Sequence, residues 1–218
     1  MAGWLALSVP MTIGPTRKQK KVSAEYLQRA AFYYLGRFAS SRRNLERVLE
    51  RKTRMRHADL APPSQEEAGW IIMVADKCES LGLVDDRTYA IQKARSMHRA
   101  GRSVRRIRGE LNAKGVGEDN IGAALAALLK DLGEPGDATD DSGDVDRAAA
   151  ITFARRRKFG PYRRSGRRSG RRSGMGVARL DEETRTRREL AAFARAGFSY
   201  ELARKILAIR KEEEFESI

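Results

Sequence analysis

The sequence predicts an all-α protein, an elongated array of three tandem three-helix modules with an arginine-, glycine- and serine-rich disordered insertion in the third. Two observations carry that expectation. A basic helical unit occurs twice in clear form and once in eroded form, and a repeat of roughly fifty residues points to modules that each bury an apolar face partly against a neighbour. Around these copies, apolar residues recur at helical spacing and are punctuated by capping residues and glycines. In the best copy, Gly101 to Val116 (GRSVRRIRGELNAKGV), Val104, Ile107 and Leu111 share one face and the other face is arginine. Ser41 to Lys52 (SRRNLERVLERK) repeats the spacing, with Leu45, Leu49 and Lys52 standing where Ile107, Leu111 and Lys114 stand. Arg187 to Phe198 (RRELAAFARAGF) has Phe193 at the Leu111 position, and its Ala196-Gly197-Phe198 matches Lys114-Gly115-Val116.

Residues 1–22 read as a disordered basic arm containing the run Arg17 to Lys21. The opening MAGWLALSVP has no lysine or arginine before its apolar residues, which is wrong for a secretory signal, and Met11 offers an alternative start. Module one, residues 23–84, begins with a helix near Ser23 whose inner stripe is Leu27, Ala31, Tyr34 and Phe38. The SRRNLERVLERK helix follows. Beyond Pro62 and Pro63, Ser64 and Glu67 form a capping box that opens a third helix running to Gly82, with Ile71, Ala75 and Cys78 on its apolar stripe.

Module two covers residues 85–132. Asp85 and Asp86 are placed to cap a helix from Arg87 to Ala100 that turns Ala90, Ala94 and Met97 inward. The basic helix then ends at Gly115, which supplies a left-handed position, and a third helix carries Ile121, Leu125, Leu128 and Leu132. Residues 133–144 hold only acidic charges among Gly, Pro and Ser, the composition of a flexible linker. Module three, residues 145–218, starts with Val145, Ala149 and Phe153 at helical spacing and ends on a helix capped near Ser199 that buries Leu202, Ile206 and Ile209. Between them lies a disordered loop at about 160–177 containing Arg163 to Gly174, RRSGRRSGRRSG, which has no apolar side chain to fold on.

Charge points to the class of partner. Lysine and arginine number 44 against 29 aspartate and glutamate, a net charge of +15, so the chain is drawn to polyanions by release of their condensed counterions. A membrane is not an expected partner, because no stretch reaches the roughly twenty apolar residues of a span. The single cysteine, Cys78, excludes an intramolecular disulfide and suits the reducing cytoplasm. On its helical stripe it reads as an inert core thiol. Catalysis fails on inventory: His57 and His98 are the only histidines, and neither has Cys, Asp or Glu neighbours at metal-ligand spacing. Gly115-x-Gly117 joins two helices and follows no strand, so it is not a phosphate loop. The expectation is no catalytic residue, no metal and no cofactor.

Three segments together resemble a known family. They are Leu81-Gly82-Leu83-Val84-Asp85-Asp86-Arg87-Thr88-Tyr89-Ala90, then Gly101 through Ile107, then Leu111-Asn112-Ala113-Lys114-Gly115-Val116. Their order and spacing resemble the RecX family of regulators of the RecA recombinase, with Leu83 in place of the aromatic usual before the D-D pair. The likeness runs over roughly residues 24–132, resumes at 145–160 and returns in Ala196-Gly197-Phe198-Ser199-Tyr200. The resemblance implies an all-helical array of three-helix modules lying in the groove of the RecA filament on single-stranded DNA, and the chain is expected to act there as a monomer. There it impedes growth or favours disassembly and so restrains recombination and the SOS response.

On the basic helix, Arg105, Arg108 and Asn112 project away from the Ile107 and Leu111 side. Arg105, Arg106, Arg108 and Lys114 are expected to contact RecA or its DNA, with Arg42, Arg43 and Arg47 in comparable positions in module one. Arg155, Arg156, Arg157 and Lys158 extend the contact into module three. The tetrad arginines Arg163, Arg164, Arg167, Arg168, Arg171 and Arg172 either add loose phosphate contacts or belong to a repeat expansion in a tolerant surface loop. The RRSG insertion lies outside the family pattern. Two other readings compete: a sequence-nonspecific binder of single-stranded DNA or RNA, and a helix-turn-helix transcription regulator. Against the second, the helix after Gly115 (IGAALAALLKDL) is small and apolar, fit for packing rather than for reading bases.

Overall fold

A computed structural model describes residues 21–131, 141–163 and 175–209. Every regular element among them is helical, in the order α1 (Ala24–Leu35), α2 (Arg42–Arg54), α3 (Gln65–Ser80), α4 (Asp86–Arg99), α5 (Val104–Ala113), α6 (Glu118–Asp131), α7 (Asp141–Arg157), a 3₁₀ turn (Gly160–Tyr162), α8 (Met175–Ala196) and α9 (Tyr200–Ala208). Tandem three-helix modules account for this order. The described residues up to Phe38 together with Leu45–Leu83 form one compact unit, and Ala39–Asn44 together with those from Val84 onward form a second.

In the first unit the helices begin where the capping chemistry puts them. Ser23 accepts from the Tyr26 N–H at 3.2 Å. Ser64 Oγ accepts from the Glu67 N–H at 3.2 Å while Glu67 Oε2 accepts from the Ser64 N–H at 2.8 Å, the reciprocal pair expected from the S-x-x-E spacing. Leu27, Ala31, Leu45, Leu49, Ile71, Ala75 and Cys78 make the core, and each large aliphatic side chain so buried contributes about 1.5–3 kcal/mol. Burial pushes the Cys78 thiol up, as suits an inert core residue. Phe38 departs from the expected inner stripe: it is 57% exposed. Gly36 caps α1, and the turn beyond it lays the Phe38 ring on Tyr34 outside the core.

Two separate apolar clusters fill the second unit. One gathers Ala90, Ala94, Met97, Ile107, Leu111, Val116, Ile121, Ala124 and Leu128 from α4, α5 and α6. The other gathers Ala149, Ala150, Ala154, Phe193, Phe198, Ala203, Ile206 and Ile209. Within it Phe153, Phe193 and Phe198 meet at centroid separations of 5.1 to 5.7 Å. Val145, read from the sequence as the start of module three, packs in the first of these clusters. Its helix, α7, begins at Asp141, inside the stretch expected to be linker. Asp85 caps α4 by accepting from the Arg87 and Thr88 N–H groups at 2.9 and 3.1 Å, while Asp86 is the first helical residue.

The repeat visible in the sequence is a repeat in space. Gly115 and Gly197 both take left-handed backbone, with φ of +76° and +91°. The next residue in each case bonds back into its helix: Val116 N–H to the Leu111 carbonyl at 3.2 Å, and Phe198 N–H to the Phe193 carbonyl at 3.1 Å. Ser199 then caps α9 through the Leu202 N–H at 3.2 Å. Among the described residues no helix is long and apolar enough to cross a membrane.

Candidate nucleic-acid interface

Three helices of the second unit converge on a groove of about 610 Å³ lined with arginine. The α4–α5 turn supplies Ala100, Gly101 and Arg102, α5 supplies Arg106, α7 supplies Phe153, Arg156 and Arg157, and α8 supplies Ala192, Arg195 and Ala196. No carboxylate lines it. Small residues make the convergence possible. A Cβ on Gly101 would lie 2.8 Å from the Phe153 nitrogen, so only glycine lets this turn meet α7. The contact is then fixed by an Arg156 guanidinium N–H donated to the Ala100 carbonyl at 2.9 Å.

The groove continues on both sides. Towards α5 lie Arg105, Gly109, Glu110 and Ala113, with Ala194 and Gly197 opposite. Along α8 lie Lys158, Arg163, Arg185, Arg188 and Glu189. Arg195 belongs to all three hollows. Among the described residues no carboxylate pairs with Arg105, Arg157, Lys158 or Arg195. Arg106 donates to Glu110 at 2.9 Å, and Arg102 lies 3.7 Å from the same oxygen. Such exposed pairs contribute at most about 1 kcal/mol each, so a phosphate displaces them cheaply. Phe153 gives the groove an apolar floor, with the Arg157 guanidinium 5.8 Å from its ring centre.

Of the residues singled out from sequence, Arg105, Arg106, Arg156, Arg157 and Lys158 line this surface. Arg155 is exposed and sits over the Tyr162 ring at 5.3 Å. Arg108 is engaged by Glu118, and the Lys114 amine reaches Asn44 Oδ1 at 3.3 Å. Arg42 is half-buried and gives its backbone N–H to Asp86 Oδ1 at 2.7 Å, while Arg43 and Arg47 are exposed on α2. Arg163 donates to Glu189 Oε1 at 2.9 Å and Oε2 at 2.7 Å and also pairs with Glu182, so its charge is answered twice. The Glu189 bonds first, and then Glu182, raise the Arg163 guanidinium further above its ordinary range. Arg164, Arg167, Arg168, Arg171 and Arg172 lie outside the described residues. Arg102, Arg185, Arg188 and Arg195 were not singled out. Arg102 stands within the best repeat copy, but Arg195 corresponds to Ala113 there, and nothing local marks it.

This arrangement suits an extended polyanion more than a small molecule. It is cationic and built on helices, and charge of this kind can hold phosphates without reading bases. The comparisons agree with the helical modules. Residues 85–125 match the family model described as RecX, second three-helix domain. Over 194 residues, 89% of this chain and 90% of the relative, the sequence is 35% identical to Regulatory protein RecX of Myxococcus xanthus. The chain belongs to the RecX family. A second RecX relative, from Agrobacterium fabrum, is 29% identical over 188 residues, 86% of this chain and 85% of its own length. The crystal structure of RecX from Lactobacillus salivarius superposes with a TM-score of 0.52 at 17% identity, covering 89% of this chain and 97% of that one, a likeness of fold. These RecX relatives carry the name of regulatory proteins.

Proposed function

We propose that this RecX-family chain binds the RecA filament on single-stranded DNA and restrains its growth or activity, and through it recombination and the SOS response. It acts in the cytoplasm as a monomer and without catalysis. The observation that carries this reading is the groove that gathers Arg102, Arg106, Arg156, Arg157 and Arg195, joined to membership of a family whose members are named regulators. A nucleoprotein filament offers DNA phosphates and protein carboxylates, and several separated cationic patches on one chain gain avidity from them. A plain single-strand binder is the second reading, favoured by the sequence-tolerant chemistry of the same arginines.

The single-stranded-DNA-dependent ATPase of the cognate RecA, measured as this protein is titrated against a fixed excess of DNA, separates the two. Loss of activity at substoichiometric amounts is expected. Inhibition only when the protein is abundant enough to coat the DNA would overturn the filament reading and leave simple competition.

A further inference from the structure

The C-terminal end of α1 carries aromatic rings that the core does not use. Leu27 and Ala31 are fully buried, yet Phe32 is 36%, Tyr33 59% and Phe38 57% exposed. Beyond the Gly36 cap the chain makes one more turn, in which the Arg37 and Phe38 N–H groups both donate to the Tyr34 carbonyl, at 3.1 and 3.0 Å. Two side-chain pairs four residues apart result. The Arg37 guanidinium lies 4.4 Å over the Tyr33 ring, and the Phe38 ring lies 5.3 Å from that of Tyr34. Exposed aromatic surface of this kind marks a contact site.

The chemistry selects the occupant. An apolar protein surface laid over the patch would strip water from the Arg37 guanidinium without answering its charge. An unpaired nucleobase offers a π face to the rings and to the guanidinium, and the phosphate attached to it answers the charge. A chain of net charge +15 brings such a strand near. We propose that Tyr33, Arg37 and Phe38 form a stacking platform for unpaired bases of single-stranded nucleic acid, distinct in chemistry from the phosphate-binding groove. The proposal rests on the reading that this chain works on single strands, and it adds a contact to bases.

Binding of the full chain to oligothymidylate, compared with an abasic oligodeoxyribonucleotide of the same length, tests it. The unsubstituted protein is expected to favour the base-bearing strand by about tenfold, the scale of one stacked base. Tyr33→Ala with Phe38→Ala removes that preference while leaving abasic-strand affinity, salt dependence and the helical circular dichroism unchanged. Tyr33→Phe with Phe38→Tyr keeps it. Equal affinity of the unsubstituted protein for the two strands, a preference that survives the alanines, or no binding to either strand overturns the platform. So does loss of RecA inhibition in the alanine variant with its base preference intact, which places a protein on the patch. Failure of the filament reading is seen separately, as unimpaired RecA ATPase with the unsubstituted protein.

Discussion

Ser103 Oγ donates to the Ala196 carbonyl across 2.7 Å while accepting from the Arg106 N–H at 3.2 Å. One buried hydroxyl thus caps α5 and ties it to the end of α8. The same unit repeats the device with Ser41, whose hydroxyl donates to the Lys114 carbonyl at 2.6 Å and accepts from the Asn44 N–H at 3.3 Å. Ser103→Ala removes a cap and leaves a half-buried carbonyl unanswered, so it is expected to lower stability by about 2 kcal/mol. Urea unfolding measures this, and hydrogen exchange at the Arg106 amide shows whether the cap is lost. A change within 0.5 kcal/mol, roughly the noise of a neutral surface substitution, would refute the role.

Arg163 is a structural anchor although it opens the RRSG tract. Its partner Glu189 is 5% exposed and also accepts the Gly160 N–H at 3.2 Å. Removing the guanidinium strands a buried carboxylate, so Arg163→Ala should cost about 2 kcal/mol of stability. Affinity for single-stranded DNA under conditions where the variant stays folded should be unchanged. An affinity loss with stability intact would instead assign Arg163 to DNA.

What was legible in the sequence is what local chemistry dictates. The S-x-x-E box at Ser64, the left-handed Gly115 and Gly197, and the inward Ile107, Leu111 and Phe193 follow from spacing alone, because each depends on neighbours within about one or two helical turns. The helical spacing of Leu27, Ala31 and Tyr34 carries on to Phe38 in the sequence, but the helix ends at Gly36 and the ring falls outside the core. The groove was only half visible. Arg105, Arg106, Arg156 and Arg157 stood out as runs, whereas Arg195 gains its place from the approach of α8 to α5 and α7, which no local pattern encodes. The Ser103 and Ala196 bond, between residues 93 apart, is of the same kind.

Asp146 Oδ1 accepts the Val104 N–H at 2.7 Å, but burial outweighs that bond and the nearby His98 and lifts its carboxyl above the ordinary 3.8. A raised carboxyl stabilises the fold when protonated, a contribution full below pH 3.8 and lost as pH rises through the raised value. Asp146→Asn keeps an acceptor and removes the desolvated charge. Its stability at neutral pH is therefore expected to equal or exceed that of the parent, with the difference closing in acid. Thermal unfolding across pH checks this; a variant clearly less stable at neutral pH would mean that the charge itself is needed.

His57 bridges Glu67 Oε1 at 3.0 Å and the Ala61 carbonyl at 3.0 Å. The Glu67 bond first, then Ala61, raise the imidazole above its ordinary 6.5. Burial pushes Glu67 up, but the Ser64 N–H and His57 outweigh it and leave the carboxyl below 4.5. The His57 contribution is full below pH 6.5 and lost as pH rises through the raised value, and that of Glu67 is full above pH 4.5 and lost as pH falls through the lowered one. The stability difference between the parent and His57→Gln should therefore be greatest between pH 4.5 and 6.5 and shrink in mild alkali. A difference that stays level from that range into mild alkali would show that the imidazole acts without its charge.

The arginine groove makes the sharpest prediction, because phosphate contacts leave a signature in salt. Each phosphate neutralised on a single strand contributes about −0.7 to the slope of log affinity against log salt. Arg157 and Arg195 line the groove without carboxylate partners among the described residues, so Arg157→Gln with Arg195→Gln should leave the melting temperature nearly unchanged. The same pair should flatten the salt slope by about 1.4 units, two contacts at about 0.7 each, and weaken binding to every sequence alike. Arg95→Gln with Arg108→Gln, which removes the same two charges from pairs with Asp131 and Glu118 outside the groove, is the matched control and should leave the slope as it is. If the control and the groove variant change the slope equally, net charge and not the groove governs binding. If only the groove variant does, the three helices have been brought together to hold a strand.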